Sequence, residues 1–179
     1  MKEFGWRKRI EHQLRVWLGR AYRPAQVEDL GATMFGGGGY GAWPCLAERL
    51  HRDSVVYSVG IGFDVHRLVP KRKLFLAGLK IKSKLGTLGH SDGDPVLHSV
   101  TDAILGACKM GDIGQKFSDK NKKFKNIRST ILLQEVIKQC NAKGYFINNI
   151  DVNIITQTPK IKNLKNRMIH SIAKLCKIS

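Results

Sequence analysis

The sequence predicts an α+β fold, a βαβ-type sandwich of one mixed sheet covered by helices, for residues 55–179. Three observations support this fold class. The region opens on a β-rich run, VVYSVGIGF. Apolar residues then recur at helical spacing in three later segments, and further β-rich runs lie between those segments. With 179 residues, of which 42% are hydrophobic and 25% charged, the chain is long enough to bury one core.

The first predicted elements lead into motifs that contain aspartate and histidine. The opening strand continues through Phe63 into Asp64 and His66, whose side chains share one face because side chains alternate along a strand. KLFLAGLKIK predicts two short strands around residues 77–78. A helix then begins, with Asp94 as N-cap and Pro95 as its first residue. The buried side of this helix consists of Val96, Leu97, Val100, Ile104, Ala107 and Cys108.

The second half of the region predicts a helix, a strand and a final helix. The first helix spans residues 129–143 and stops at Gly144. Its inward face consists of Leu132, Leu133, Val136, Ile137 and Cys140. IDVNIIT is a strand, followed by a turn at TPKI. The final helix is lined by Leu164, Met168, Ile172 and Leu175.

Residues 1–54 are predicted to form a separate extension. They carry seven Arg and two Lys, whereas residues 55–179 carry four Arg and eighteen Lys, so the composition changes near Ser54. GGGGYG at 36–41 predicts a flexible linker, since no strand precedes it as a dinucleotide-binding motif requires. The spacing of five apolar residues indicates a basic amphipathic helix: Trp6, Ile10, Leu14, Trp17 and Leu18. Such a helix could lie on a membrane surface, cover an oligomer interface or serve as a targeting segment.

The composition excludes several classes of protein. No run of eighteen apolar residues exists, so no membrane span is predicted, and no secretory signal core is present. The four cysteines form no C-x-x-C pair, which favours free thiols in a reducing compartment, the cytoplasm or the plastid of a plastid-bearing host. The net charge of +17 comes mostly from lysine-rich loops without interleaved aromatic residues, which favours a solvated surface, with a secondary attraction for anionic substrates, over nucleic-acid binding.

Two short motifs, IGFDVHR and GHSDGDPVLHSVTDAILGA, hold four of the fourteen acidic residues and three of the six histidines. Asp64, His66 and His98 would supply one oxygen and two nitrogen ligands, a set that suits zinc with an open fourth position. A surface or capping pair is the alternative interpretation. GHSDGD feeds a helix N-terminus and could bind phosphate, or could serve only as a turn and cap, the interpretation favoured for Asp94. Asp102, on the face of His98, is either a partner that fixes the imidazole tautomer or an ordinary exposed acid.

Four blocks of sequence, in order, resemble one family: GIGFDVHRL, GHSDGDPVLHSVTDAILGA, GDIGQKFSD and IDVNIITQTPKI. Over residues 57–165 the chain resembles the 2-C-methyl-D-erythritol 2,4-cyclodiphosphate synthase family of the non-mevalonate isoprenoid pathway. The resemblance implies a homotrimer with active sites between neighbouring subunits. It also implies a phosphorus–oxygen lyase that converts 4-diphosphocytidyl-2-C-methyl-D-erythritol 2-phosphate to 2-C-methyl-D-erythritol 2,4-cyclodiphosphate and releases CMP.

The same resemblance implies a role for each matching residue. Zinc would be bound by Asp64, His66 and His98, with magnesium or manganese on the substrate diphosphate. His90 would help to stabilise the transition state and would contact phosphate together with Ser91. The remaining contacts to substrate would come from Asp64, Val65, His66, Asp112, Ile113, Gly114, Phe117, Asp119, Thr156, Thr158, Pro159, Lys160 and Ile161.

The chain departs from the family's pattern at three places. Ser118 stands where Pro is usual, and residues 1–54 have no counterpart. Beyond Ser179 the pattern continues with a strand bearing Lys-Ala-Thr-Thr-x-Glu, which supplies diphosphate contacts and a carboxylate for the second metal. We therefore expect a truncated or chimeric reading frame, or a degenerate paralogue, with impaired activity. The alternative function is a non-catalytic zinc-binding or basic nucleic-acid-binding protein on the same scaffold.

Overall fold

The computed structural model of the protein describes residues 9–20 and 57–179. The strands in these ranges are β1 (Arg9–Arg20), β2 (Tyr57–Pro70), β3 (Leu74–Leu76), β4 (Leu79–Ile81), β5 (Leu85–Thr87) and β6 (Tyr145–Thr156). The α-helices are α1 (Pro95–Ala107), α2 (Ile113–Lys116), α3 (Ser129–Ala142) and α4 (Lys165–Cys176). Two short 3₁₀ segments lie at Lys122–Phe124 and Lys162–Leu164.

Four of these strands form one sheet in the order β5-β2-β1-β6, and β3 pairs with β4 in a separate hairpin. The α+β class predicted from the sequence is confirmed. The described strand pairs are all antiparallel, whereas a mixed sheet was expected. The reason is the position of β1, which runs between β2 and β6 and in the opposite direction to both.

The predicted amphipathic helix is wrong for residues 9–20, which form strand β1. Apolar residues stand at even-numbered positions in this segment: Ile10, Leu14, Val16 and Leu18. Their spacing therefore fits the alternation of a strand as well as the period of a helix. Pairing with β2 on one side and β6 on the other engages both edges of this segment, and such tertiary pairing overrides helix propensity. The predicted boundary near Ser54 and the linker at 36–41 lie outside the described residues.

Helix α1 lies directly on strand β2 because two glycines of the strand leave room for it. A Cβ atom at Gly60 would overlap the carbonyl oxygen of Ala103, and one at Gly62 would overlap that of Ser99. Helix and strand backbones therefore meet without intervening side chains. This contact brings the first turn of α1 next to the second half of β2, where the candidate ligands lie.

The start of α1 is fixed by the buried carboxylate of Asp94, as predicted. Its Oδ1 accepts hydrogen bonds from the N–H groups of Val96 and Leu97, both at 3.1 Å. The same carboxylate accepts the N–H groups of Ala77 at 3.0 Å and Gly78 at 2.6 Å, in the turn between β3 and β4. Asp94 is thus a structural cap that ties the hairpin to the helix.

The predicted core faces of the helices are confirmed. All six predicted residues of α1 and its C-cap are buried, as are all five of α3. Of the four residues predicted for the final helix, Met168 and Ile172 are buried, and Leu164 and Leu175 are partly buried against the core. Helix α3 ends just before Gly144, whose φ of 77° is the left-handed conformation that favours glycine. Cys108, Cys140 and Cys176 are buried free thiols, and Cys45 lies outside the described residues. Within the described ranges, no helix is long and apolar enough to cross a bilayer.

Candidate metal centre and substrate site

The three predicted metal ligands meet between β2 and α1. Asp64 and His66 project from the helix-facing side of β2, and His98 lies in the first turn of α1. Oδ2 of Asp64 is 3.0 Å from Nδ1 of His66 and 3.1 Å from Nδ1 of His98. The three ligand atoms lie within 4.8 Å of one another. The prediction that these residues form one cluster is confirmed.

The charges in this cluster favour a bound cation. Burial opposes ionisation of Asp64, but hydrogen bonds from His66 and His98 outweigh burial and hold the Asp64 pKa well below its ordinary value. Burial favours the neutral form of His98, but the hydrogen bond and negative charge of Asp64 raise the His98 pKa. A carboxylate that holds a proton on a neighbouring imidazole can hold a divalent cation in its place.

The donor set fits zinc. Nδ1 of His66 is buried 3.0 Å from Oδ2 of Asp64, so it would offer a lone pair to a metal that displaces its proton. One carboxylate oxygen and two imidazole nitrogens match the ligands that zinc prefers, with a position left for a further ligand. Gly89 leaves room for the ring of His66, because a Cβ atom there would lie 3.1 Å from its Nε2.

The second ring nitrogen of His98 is held by two serines. Its Nε2 is 2.9 Å from Oγ of Ser91 and 3.0 Å from Oγ of Ser129. Asp102 does not take this position, since its Oδ1 accepts the N–H of Ile113 at 2.7 Å. The interpretation of Asp102 as the partner of His98 is therefore wrong. Ser129 was missed because the sequence marks it only as the start of a helix, 31 residues after His98.

Arg72 holds the loop that carries the predicted phosphate-binding residues. Its guanidinium donates to the carbonyl oxygens of Thr87 at 3.2 Å, Gly89 at 2.9 Å and Ser91 at 3.4 Å. These bonds fix the loop on both sides of His90. Nε2 of His90 is buried and has no hydrogen-bond partner within the described residues, which leaves this nitrogen free to bind a ligand.

The predicted substrate loop after α1 contains the single helical turn α2. Oδ1 of Asp112 accepts the N–H of Gln115 at 2.8 Å and so caps this turn. The hydrogen bond from Ile113 N–H to Asp102 ties the loop to α1, one turn after His98. The ring of Phe117 packs edge-on against Phe124, with centroids 5.3 Å apart. Gly114 within this turn and Asp119 after it are exposed.

Two other predicted contacts lie away from this cluster. Val65 is between the two strand ligands in sequence, so its side chain projects from the opposite face of β2, where it is 39% exposed. The segment 156–161 follows β6, and Oγ1 of Thr156 donates to the carbonyl of Thr158 at 2.8 Å. The bond between Thr158 and Pro159 is cis. No hydrogen bond within residues 57–179 joins this segment to the metal ligands.

Comparison with known proteins identifies relatives of one kind. Residues 57–179 match the family model of the YgbB family. The bifunctional enzyme IspD/IspF of Pelagibacter ubique (strain HTCC1062) is 74% identical over 120 residues, which cover 67% of this chain and 32% of that protein. The 2-C-methyl-D-erythritol 2,4-cyclodiphosphate synthase of Clostridium botulinum (strain Alaska E43 / Type E3) is 54% identical over 103 residues, which cover 58% of this chain and 66% of that enzyme.

Solved structures give the same result. The bifunctional IspDF from Campylobacter jejuni has a TM-score of 0.63 and 42% identity, over 66% of this chain and 32% of that one. A CDP complex of IspF from Plasmodium falciparum has a TM-score of 0.56 and 37% identity, over 66% of this chain and 72% of that one. The chain thus spans about a third of the two bifunctional relatives and about two thirds of the two others.

Proposed function

The chain belongs to the YgbB family, and from that premise we propose that it converts 4-diphosphocytidyl-2-C-methyl-D-erythritol 2-phosphate to 2-C-methyl-D-erythritol 2,4-cyclodiphosphate with release of CMP. The observation that carries this proposal is the cluster of Asp64, His66 and His98, because it places a cation-binding site beside a loop suited to phosphate. Relatives named for this synthase favour it over a non-catalytic zinc-binding or nucleic-acid-binding function.

The proposed reaction is a phosphoryl transfer within one molecule. An oxygen of the 2-phosphate attacks the β-phosphorus, a new P–O bond closes the ring, and the bond from the β-phosphorus to the oxygen of CMP breaks. Two anionic groups must be brought together, so most of the catalysis is positioning and charge neutralisation. When bound, zinc at Asp64, His66 and His98 would supply this neutralisation, with magnesium or manganese on the diphosphate.

The residues of the chain have separate parts in this proposal. His90 is the proposed catalytic residue, and its Nε2, which has no partner in the part of the chain that the structure describes, would donate to a phosphate oxygen as negative charge develops there. Ser91 contacts the same phosphate from the loop held by Arg72. Residues 112–119 would cover the methylerythritol hydroxyls, with Asp112, Ile113, Gly114, Phe117 and Asp119 as the contacts.

We propose that the chain forms a homotrimer in which segment 156–161 of one subunit contacts the cytidine of the substrate bound to a neighbouring subunit. The segment 156–161, with Thr156, Thr158, Pro159, Lys160 and Ile161, makes no described hydrogen bond to the metal ligands of its own chain, which is consistent with service to another subunit's site. The face of β2 opposite α1 supports association, because four apolar side chains at alternate positions are 48% to 62% exposed. They are Tyr57, Val59, Ile61 and Phe63. The three cysteines of residues 57–179 are free thiols, which is consistent with a reducing compartment such as the cytoplasm.

Release of CMP tests the proposed activity directly. The purified chain is separated by size, and each fraction is assayed with zinc, magnesium and substrate. We expect CMP release in the fraction with three times the mass of one chain. Replacing His90 with Ala should lower the rate by about a hundredfold or more without loss of zinc, whereas the exposed His170 replaced with Ala is a matched control with an unchanged rate. A zinc-loaded trimer that releases no CMP would contradict the activity.

The pH dependence of zinc binding tests the proposed metal centre. Zinc must displace protons from the imidazoles, and Asp64 raises the His98 pKa above its ordinary value of 6.5. A raised pKa stabilises the metal-free fold below pH 6.5, and this contribution is lost as the pH rises through the folded value. The increase in melting temperature caused by zinc should therefore grow with pH from 6 to 8. An increase that is the same at both pH values would contradict protonation of these ligands.

A further inference from the structure

We propose that Ser129 and Asp92 are positioning residues that hold His98 in the tautomer able to bind zinc. This inference rests on the proposed metal centre. It adds a relay, by which we mean the chain of hydrogen bonds from Asp92 through Ser129 to His98, that links the first turn of α3 to the metal. Ser129 is only 1% exposed, and its Oγ lies between Nε2 of His98 at 3.0 Å and Oδ1 of Asp92 at 2.5 Å. A buried hydroxyl between these two partners can donate its single proton to only one of them.

The direction follows from the charge of Asp92. Nε of Arg128 is 3.0 Å from Oδ2 of Asp92, and only 5% of the Asp92 side chain is exposed, so the carboxylate is paired with a cation and buried. An ionised carboxylate can only accept hydrogen bonds. The hydroxyl of Ser129 therefore donates its proton to Asp92, and the lone pairs of its oxygen remain for His98.

The tautomer of His98 is the consequence. When a metal displaces the Nδ1 proton that His98 donates to Asp64, the oxygen of Ser129 can only accept from the imidazole, so the neutral ring keeps its proton on Nε2. Nδ1 would then offer its lone pair to the ion beside Asp64, at the position where a metal would bind. Hydrogen bonds of this kind orient metal-binding histidines and raise their basicity. Ser91 is also near Nε2, but it accepts the N–H of Gly93 at 3.1 Å and has no carboxylate partner that fixes its proton.

Further contacts of Arg128 and Asp92 hold the relay in place. Arg128 also donates to the carbonyl oxygen of Gly78 at 2.8 Å, and its guanidinium lies 4.0 Å from the ring centre of Phe75. The N–H of Asp92 donates to the carbonyl of Ile127 at 2.9 Å. These contacts leave Ser129 and Asp92 little freedom to turn away from His98.

The test is the zinc affinity of four variants, measured by competition with a chromogenic chelator, with melting temperature as the check on folding. Ser129→Ala should weaken zinc binding by about tenfold to a hundredfold, and Ser129→Thr, which keeps the hydroxyl, should restore it. Asp92→Asn should also weaken binding, since the neutral amide no longer fixes the direction of the hydroxyl. Ser171→Ala is the matched control, because this variant also loses a serine hydrogen bond, the one of 2.6 Å to the carbonyl of Ala77, and Ser171 makes no hydrogen bond to the metal ligands.

Two results would overturn the relay. The first is zinc affinity in folded Ser129→Ala equal to that of Ser171→Ala, which leaves the metal centre intact and removes only Ser129 from it. The second is absence of zinc binding by the unmodified chain, which removes the metal centre as well. Should Ser129→Ala not fold, unchanged affinity in Asp92→Asn would overturn the relay instead.

Discussion

Replacing His98 with Ala is expected to abolish stoichiometric retention of zinc. His98 supplies one of three ligand atoms that lie within 4.8 Å of one another, and an open fourth position does not compensate for a lost protein ligand. Removal of a residue that merely orients a ligand costs about tenfold to a hundredfold in affinity, so removal of the ligand itself should cost more. Zinc content after dialysis, measured by mass spectrometry of the metal, gives the result.

A histidine outside the cluster is the control for this experiment. His170 is exposed on α4, so His170→Ala should retain one zinc per chain under the same dialysis. The apolar residues around position 98 are core residues of α1, and the circular dichroism of His98→Ala must match that of the unmodified chain. A folded His98→Ala variant with one zinc per chain would remove His98 from the site.

Replacing Gly62 with Ala is expected to have the largest effect on stability. The added Cβ would overlap the carbonyl oxygen of Ser99, which is part of the helix backbone and cannot rotate away. Helix α1 must therefore shift off the sheet, at a cost of about 3 kcal/mol or more in the free energy of unfolding. Since His98 precedes Ser99, the shift should also separate His98 from Asp64 and weaken zinc binding.

Urea denaturation of the metal-free protein measures this cost apart from metal binding. Gly106→Ala is the matched control, because a Cβ at this exposed position of α1 would have no atom within 4 Å beyond its chain neighbours and the adjacent helix backbone. Alanine there should raise the free energy of unfolding by up to about 1 kcal/mol, as expected for a helix interior. Equal stability of Gly62→Ala and the unmodified chain would show that the helix does not rest on this glycine.

The local parts of the site could be predicted because they depend on short-range rules. Alternation along a strand put Asp64 and His66 on one face, and Asp94 followed by Pro95 marked the start of α1. The meeting of His98 with that strand is a tertiary contact set by Gly62, and no spacing rule contains it. The sequence blocks that resemble a known family supplied this part of the prediction.

The parts that sequence reasoning missed are those that pairing and packing decide. Residues 9–20 have a periodicity that fits two structures, and strand neighbours from β2 and β6 select the strand. Asp102 shares a helix face with His98, yet the turn after α1 offers it the N–H of Ile113. Ser129 reaches His98 only because α3 begins beside the loop that contains Asp92.

X-ray absorption at the zinc K-edge tests the metal centre most directly, because it identifies the atoms bound to the ion. The protein loaded with one zinc per chain should show two imidazole nitrogens and oxygen in the first shell, at about 2.0–2.2 Å. A first shell that contains sulfur at about 2.3 Å would instead place the metal on cysteine and contradict the site formed by Asp64, His66 and His98.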